Sequence, residues 1–228
     1  IFSYKIELSE RNEYEIIDFI SNLIKEEDVY YEKADLWLPI TYPWSLLNAN
    51  EIILSNIKNK KKINNSGKIE KGATLKGIIF IGKNTLIRAG SYLEGNIIIG
   101  DNCIIGPNCF IRGFTSIGNN CKIGNAVEIK NSIIGDNTSI GHLSYVGDSV
   151  IGNNVNFGAG TITANLRHDN SNVFSIVKEK LIDTGRRKLG TIIGDNVHTG
   201  INTSIYPGRK IFPNRTTLPG EIVKKDIE

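Results

Sequence analysis

The amino-acid sequence predicts an all-β fold, a parallel β-helix built from hexapeptide repeats, preceded by a small α/β segment. Three observations carry this. From residue 63 every sixth position is aliphatic: Ile63, Ile69, Leu75, Ile81, Ile87, Leu93, Ile99, Ile105, Ile111, Ile117, Ile123 and Ile129. Glycine often follows, as in Ile81-Gly82, Ile99-Gly100 and Ile117-Gly118, with Asn or Asp close behind. The first 60 residues lack the period. A period of six fits neither an α-helix nor an alternating half-buried strand, whereas a hexapeptide solenoid requires it.

In the opening segment, Ile16, Ile17, Ile20, Leu23 and Ile24 recur at helical spacing and predict an amphipathic helix over 13–24. Residues 29–38 read as one or two strands, and 43–57 as a second helix with Pro43 at its start. So short a piece cannot bury a core of its own and needs something to dock on. The chain begins at Ile1 and contains no methionine, which reads as part of a longer polypeptide; no signal-peptide pattern opens it.

In the repeat, each hexapeptide supplies one short flat strand and one corner, where Gly and Asn tolerate the backbone angles required. Three hexapeptides close a coil of about 18 residues, so residues that far apart stack at the spacing of neighbouring strands, roughly 4.8 Å. The phase slips by one residue twice, giving Ile134, Ile140 and Val146, then Ile151 and Phe157. It resumes after a gap with Ile193, Thr199, Ile205, Ile211 and Thr217. The gap, residues 164–190, is an inserted loop of a length that usually carries function. In Ile99-Gly-Asp-Asn-Cys103-Ile the fifth position also points inward and suits a small residue. Cys103, Cys109 and Cys121 all occupy it and read as core filler.

Composition limits the partners. Hydrophobic residues make up 40% of the 228, enough for a real core, and no apolar run approaches the roughly 20 residues of a membrane span. An odd number of cysteines without metal-ligand spacing predicts a reducing, cytoplasmic setting. Residues 1–60 hold six Lys or Arg against eleven Asp or Glu, and residues 61–228 hold twenty-one against thirteen, so the net +3 divides as −5 and +8. Without dense basic runs or interleaved aromatics, that excess predicts an anionic small-molecule site and not nucleic acid. Arg112 follows core residue Ile111 and Lys130 follows Ile129, so the two cations stack one coil apart. An anion against both, such as a sugar phosphate, would relieve their repulsion; two snorkelling surface side chains are the alternative.

Two stretches, Asn12-Glu-Tyr-Glu-Ile-Ile-Asp18 and Tyr42-Pro-Trp-Ser-Leu-Leu-Asn-Ala-Asn50, resemble the last part of a sugar-1-phosphate nucleotidylyltransferase domain. Residues 61–228 resemble the hexapeptide acetyltransferase domain of bifunctional sugar-1-phosphate nucleotidylyltransferase/hexosamine-1-phosphate N-acetyltransferases, and Gly185-Arg-Arg-Lys-Leu-Gly190 resembles their archaeal branch. The resemblance implies a left-handed β-helix, against the usual right-handed rule for parallel crossovers. It also implies a homotrimer with the acceptor site between subunits. Residues 1–60 are then a partial nucleotidylyltransferase segment, expected to be inactive. The glycine-rich nucleotide loop is absent, Glu13 alone matches a sugar-contacting residue, and Pro39 in Trp37-Leu-Pro-Ile-Thr41 stands where relatives carry a Mg²⁺-holding aspartate.

The same resemblance assigns the site. Gly141-His142-Leu143-Ser144-Tyr145-Val146-Gly147-Asp148 is similar to the relatives' Gly-His-Leu-Thr-Tyr-Leu-Gly-Asp, which makes His142 the general base; a neutral imidazole suits removal of a proton from an amine. It places Arg112 and Lys130 on the sugar's phosphate, Tyr145 on sugar or phosphate, and Asn156 and Asn165 on the sugar. The backbone at Ala159 lies at the acetyl-CoA thioester, where it supports the oxygen that gains charge. Arg186, Arg187 and Lys188 in the insertion are expected to reach a neighbouring subunit or the phosphates of coenzyme A. Ser171 and Phe174 replace lysines of the relatives. His168 and His198 read as surface residues.

The implied reaction is acetyl transfer from acetyl-CoA to the 2-amino group of glucosamine-1-phosphate, and also of galactosamine-1-phosphate. It needs no metal and involves neither nucleic acid nor membrane. Two alternatives stay open: a non-catalytic oligomerisation or regulatory module, and a hexapeptide acyltransferase of other specificity.

Overall fold

The computed structural model describes residues 6–57, 61–63 and 66–228, with the backbone only for 61–63. Two compact units divide after Leu38. In the first, helix α1 (Ile16–Leu23) is shorter than the 13–24 expected, and of its residues only Phe19 is buried. Ile16 and Ile17, placed by their spacing on an apolar face, are 70% and 69% exposed. Residues 29–38 form no strand. Tyr30, Tyr31 and Trp37 there are exposed, no described strand pairs with the segment, and an unpaired strand has no ladder to hold it.

In the second unit, helix α2 (Ser45–Ser55) buries Leu47 and Leu54. Asn50 fixes it to the coils: its Nδ2 donates to the Phe114 carbonyl (3.0 Å) and its Oδ1 accepts from Ser116 Oγ (2.6 Å). The second helix therefore belongs with the repeat, while the boundary expected at residue 60 lies outside the described residues.

The coils present three faces. Strands Thr74–Ile81, Tyr92–Ile99 and Phe110–Ile117 run round one corner, so the first and second faces join in a single 13-stranded sheet. The third face is a separate six-stranded sheet that includes Lys122–Asn125, Ser139–His142 and Asn156–Phe157. On the first face, Glu128–Lys130 is followed by Tyr145–Gly147, Ile162–Thr163, Ser204–Ile205 and Ile222–Val223. On the second, Ile133–Ile134 is followed by Val150–Ile151, Thr191–Ile193 and Arg209–Ile211. All the pairings within these sheets are parallel, and the aliphatics of the six-residue period stack as the core. Ile63 lies opposite Ile81 in the backbone register; its side chain is outside the described residues. The three cysteines are buried and free, consistent with small side chains filling an inward position.

The two phase slips have a structural address. Ile99 pairs with Ile117, eighteen residues on, but Ile117 pairs with Ile134 and Ile134 with Ile151, each seventeen on. The lost residue comes from the corner between first and second faces, which holds Gly113 and Phe114 in one coil but Asn131 and Asp148 in the next two. One coil further, the same corner opens into the insertion.

The insertion carries an antiparallel hairpin, Phe174–Val177 with Lys180–Asp183. It folds back on its own chain. Val173 and Leu189 are buried with Trp44 and Leu47, and the outward residues Ile133, Val150 and Ile192 of the second face pack against that cluster. Arg209 donates to the Phe174 carbonyl (2.8 Å), and the Lys210 ammonium binds Asp226 (2.8 Å) and the Ile176 carbonyl. Among the described residues no helix is long and apolar enough to cross a membrane.

Candidate active site

Arg112 lies directly opposite Lys130, and Lys130 opposite Gly147, so the spacing places the two cations as expected. Each also has a carboxylate of the chain's own. Arg112 donates to Glu128 Oε1 through Nε (2.9 Å) and Nη2 (2.7 Å). Lys130 Nζ lies 3.0 Å from Asp148 Oδ2. The repulsion between stacked cations is thus relieved without any added anion, and spacing alone does not prove a phosphate site. Burial separates the two pairs: side-chain exposure is 37% and 33% for Arg112 and Glu128, but 13% and 2% for Lys130 and Asp148. The first pair can open to a ligand at little cost; the second is desolvated and held.

Asp148 is the centre of a network that the sequence reading left unassigned. Asn165 Nδ2 donates to Asp148 Oδ2 (2.5 Å) and to Tyr145 Oη (3.1 Å), and Asn131 Nδ2 donates to Asp148 Oδ1 (3.3 Å). Tyr145, Asn165 and Lys130 are thereby brought together around Asp148. Gly147 lies beneath Tyr145 and Asn165: a Cβ there would stand 2.4 Å from Tyr145 Oη and 2.8 Å from Asn165 Nδ2. Burial pushes the Tyr145 phenol above its ordinary pKa, and the Asp148 and Glu128 carboxylates add to the shift. Glu128 was missed too. It had a usable signal, since it occupies the outward position of the Tyr145 column.

His142 ends the third-face strand Ser139–His142, opposite Asn125, with its imidazole exposed. Ala159 sits one coil above it: Ser139 and Ile140 pair with Asn156 and Phe157, and the Gly160 N–H donates to the His142 carbonyl (3.1 Å). The Ala159 carbonyl accepts from the Asn202 N–H (2.8 Å), whereas no described residue accepts from the Ala159 N–H. An exposed imidazole and a free backbone donor therefore occupy adjacent rungs.

The remaining candidates are dispersed. Asn156 is exposed on the third face, opposite Ser139 and bridged to His198, and is not part of the Tyr145–Asn165 cluster. Arg186 is paired with Glu51 of α2 (2.9 Å), which leaves Arg187 and Lys188 as the exposed cations of the trio. His168 lines a cavity of about 560 Å³ with Ala164, Phe174, Leu181, Tyr206 and Lys224. Ser171 donates to Asp169, whose carboxyl Arg167 holds well below the usual carboxylate range. Among the described residues no cluster of His, Cys, Asp or Glu is arranged to hold a metal ion.

Residues 93–227 match the GMPPB C-terminal domain family. The whole chain is 43% identical to the bifunctional sugar-1-phosphate nucleotidylyltransferase/acetyltransferase of Sulfurisphaera tokodaii, covering 57% of that protein. It is 44% identical over 225 residues to the bifunctional protein GlmU of Methanocaldococcus jannaschii, which spans 98% of this chain and 54% of that one. Against the bifunctional protein GlmU of Methanococcus maripaludis strain C7 the identity is 47% over 221 residues, 96% of this chain and 53% of that one. The chain thus spans about half the length of the curated relatives it matches. With residues 93–227 covering the coils that carry Arg112, Lys130, His142 and Asn165, the chain belongs to the GMPPB C-terminal domain family and is related to the C-terminal acetyltransferase part of the bifunctional sugar-1-phosphate nucleotidylyltransferase/acetyltransferases.

Proposed function

We propose that this chain transfers the acetyl group of acetyl-CoA to the 2-amino group of glucosamine-1-phosphate, with galactosamine-1-phosphate as a second acceptor. The observation that carries the reading is the exposed imidazole of His142 one rung below the free Ala159 N–H, beside a face that bears Arg112 and Lys130. Arg112 exchanges Glu128 for the acceptor phosphate, since both partners of that pair are about one-third exposed. Lys130 stays with Asp148 and supplies a fixed second charge. Tyr145 and Asn165 line the sugar. His142 takes a proton as the amine nitrogen bonds to the thioester carbon, and the Ala159 N–H donates to the carbonyl oxygen as charge builds there. The carbon–sulfur bond then breaks, and the thiol leaves with the proton returned by His142.

Arg187 and Lys188 are assigned to the phosphates of coenzyme A. Asn156, remote from the cluster within one chain, serves the acceptor site of an adjacent copy in a homotrimer. Leu143, Ile201 and Leu218, near the corner between third and first faces, and Ile162 and Ile222 on the first face are exposed apolar side chains that a neighbouring copy would cover. Three buried free cysteines fit a cytoplasmic setting. The test is thiol release from acetyl-CoA with glucosamine-1-phosphate, galactosamine-1-phosphate and unphosphorylated glucosamine. Turnover should require the phosphate for efficiency. Equal rates on all three, or none on the two phosphates, would sink the reading.

A further inference from the structure

Asp148 stands at a corner whose counterparts one and two coils earlier are Asn131 and Gly113. All three adopt left-handed backbone, with φ of 49°, 45° and 74°. Asn or Gly satisfies that turn, so the backbone does not demand a carboxylate. The demand comes from the donors around it: Lys130 Nζ and Asn165 Nδ2 on Oδ2, and Asn131 Nδ2 on Oδ1. At 2% exposure an unpaired carboxylate would be costly, and a lysine without this partner would extend toward solvent. Asp148 also gathers both ends of the insertion. Asn165, at its start, binds through its side chain; the Gly190 N–H, at its end, donates to the Asp148 carbonyl (2.8 Å); and the Leu189 N–H closes the neck on the Asn165 carbonyl (3.0 Å).

We infer that Asp148 is a positioning residue for recognition of the acceptor's phosphate. It holds the Lys130 ammonium at the phosphate end of the site and clamps the neck of the insertion to the same point, while touching no reacting atom. This rests on the acceptor proposed above. Lys130 spends one of its three donors on Asp148 and keeps the others for an anion. The carboxylate thus converts a flexible cation into a fixed one without preventing it from binding phosphate.

The test compares Asp148→Asn, Lys130→Ala and the double variant on glucosamine-1-phosphate and on glucosamine, with hydrogen exchange of residues 165, 189 and 190 as a second readout. Asn keeps the size and the left-handed preference, but its NH2 must face other donors. KM for the phosphorylated acceptor should rise about tenfold with kcat within about threefold, while glucosamine, which meets Asn165 but has no phosphate for Lys130, should lose clearly less. Added to Lys130→Ala, Asp148→Asn should raise KM no further. The amides of Leu189 and Gly190 should exchange faster. Equal losses on both acceptors, a KM that falls, or full additivity with Lys130→Ala would overturn the inference. If the parent protein neither binds nor acetylates glucosamine-1-phosphate, the acceptor assignment fails and takes the phosphate role of Asp148 with it; unchanged exchange would separately refute the clamp. Should Asp148→Asn not fold, Asn131→Gly removes one donor from the same carboxylate at a corner that already accepts Gly113. It should raise KM about twofold to threefold for the phosphorylated acceptor alone, and an equal change on both acceptors would again overturn the inference.

Discussion

Replacing Arg112 and Lys130 in turn should separate ligand binding from stability, because two cations at equivalent positions of adjacent coils differ in burial. Lys130→Ala strands Asp148, 2% exposed, with only amide donors around it. Breaking a buried pair in this way costs about 3–5 kcal/mol. For a domain of this size each kcal/mol moves the melting midpoint by about 2–4 °C, so the midpoint should fall by about 6–20 °C. Arg112→Ala breaks a pair in which both partners are about one-third exposed. Such a pair contributes about 0–1 kcal/mol, so the midpoint should move by less than about 4 °C.

Kinetics complete the contrast. Arg112→Ala removes the accessible phosphate ligand, and KM for glucosamine-1-phosphate should rise about tenfold or more with a smaller change in kcat. Lys130→Ala should raise KM by a similar factor, but only below its lowered melting point. The assay is calorimetry at one fixed protein concentration, without acceptor, paired with steady-state rates at 25 °C or below. Fixed concentration matters because assembly and ligand both shift the midpoint. Variants that melt within about 2 °C of each other would show that Lys130 and Asp148 do not form a desolvated pair, and the assignment of Lys130 as the fixed charge would fall.

Four further outcomes are expected. His142→Ala should lower kcat by about 10²-fold with KM nearly unchanged, and retention of more than about half the parental kcat from pH 6 to 9 would remove His142 as the base. Gly147→Ala should displace the far ends of Tyr145 and Asn165 and leave the coil intact, so acceptor KM rises while the melting midpoint barely moves; unchanged KM would place those two side chains outside the site. Because burial raises the Tyr145 pKa above its unfolded value, its contribution to stability is complete below the ordinary tyrosine range and is lost as pH climbs through the raised value. Phenolate absorbance should therefore lose a late-titrating component in Tyr145→Phe, and loss of an ordinary component instead would contradict the burial. Sedimentation should give a trimer that Leu218→Glu weakens, and a fully active monomer would refute the shared site.

The solenoid was legible because each inward position must fit the same narrow core, so the constraint recurs every six residues and leaves little room for exceptions. Even Thr199 and Thr217, polar at core-phase positions, are buried, and their hydroxyls are bonded to the backbone N–H groups of Gly158 and Gly200. The opening segment carries no such repetition. Its apolar spacing forecast a buried helix face, yet Ile16 and Ile17 are exposed. Residues 29–38 read as one or two strands, yet a strand exists only when another pairs with it. Propensity describes one segment; pairing depends on a second that the segment does not encode.

At the site, stacking of Arg112 over Lys130 followed from the period, while their acids did not. Glu128 lies sixteen residues after Arg112 and Asp148 eighteen after Lys130, so no single spacing joins both cations to their partners. What joins them is the shortened corner. A regular prism presents the same environment on every rung, and a substrate site requires rungs that differ. Here the differences are consecutive at one corner: Phe114 is the extra residue, capped by Asn50; Asn131 and Asp148 each stand where two residues stood; and the insertion then leaves from the same place. Losing one residue lets the left-handed Asp148 carry its carboxylate over Asn131 and onto Lys130. The repeat therefore marks the candidate site through its two interruptions. Adding one residue between Asn131 and Ser132 would restore the eighteen-residue coil. It should preserve the parallel register while separating Lys130 from Asp148, so the coil would survive and recognition of the phosphate would not.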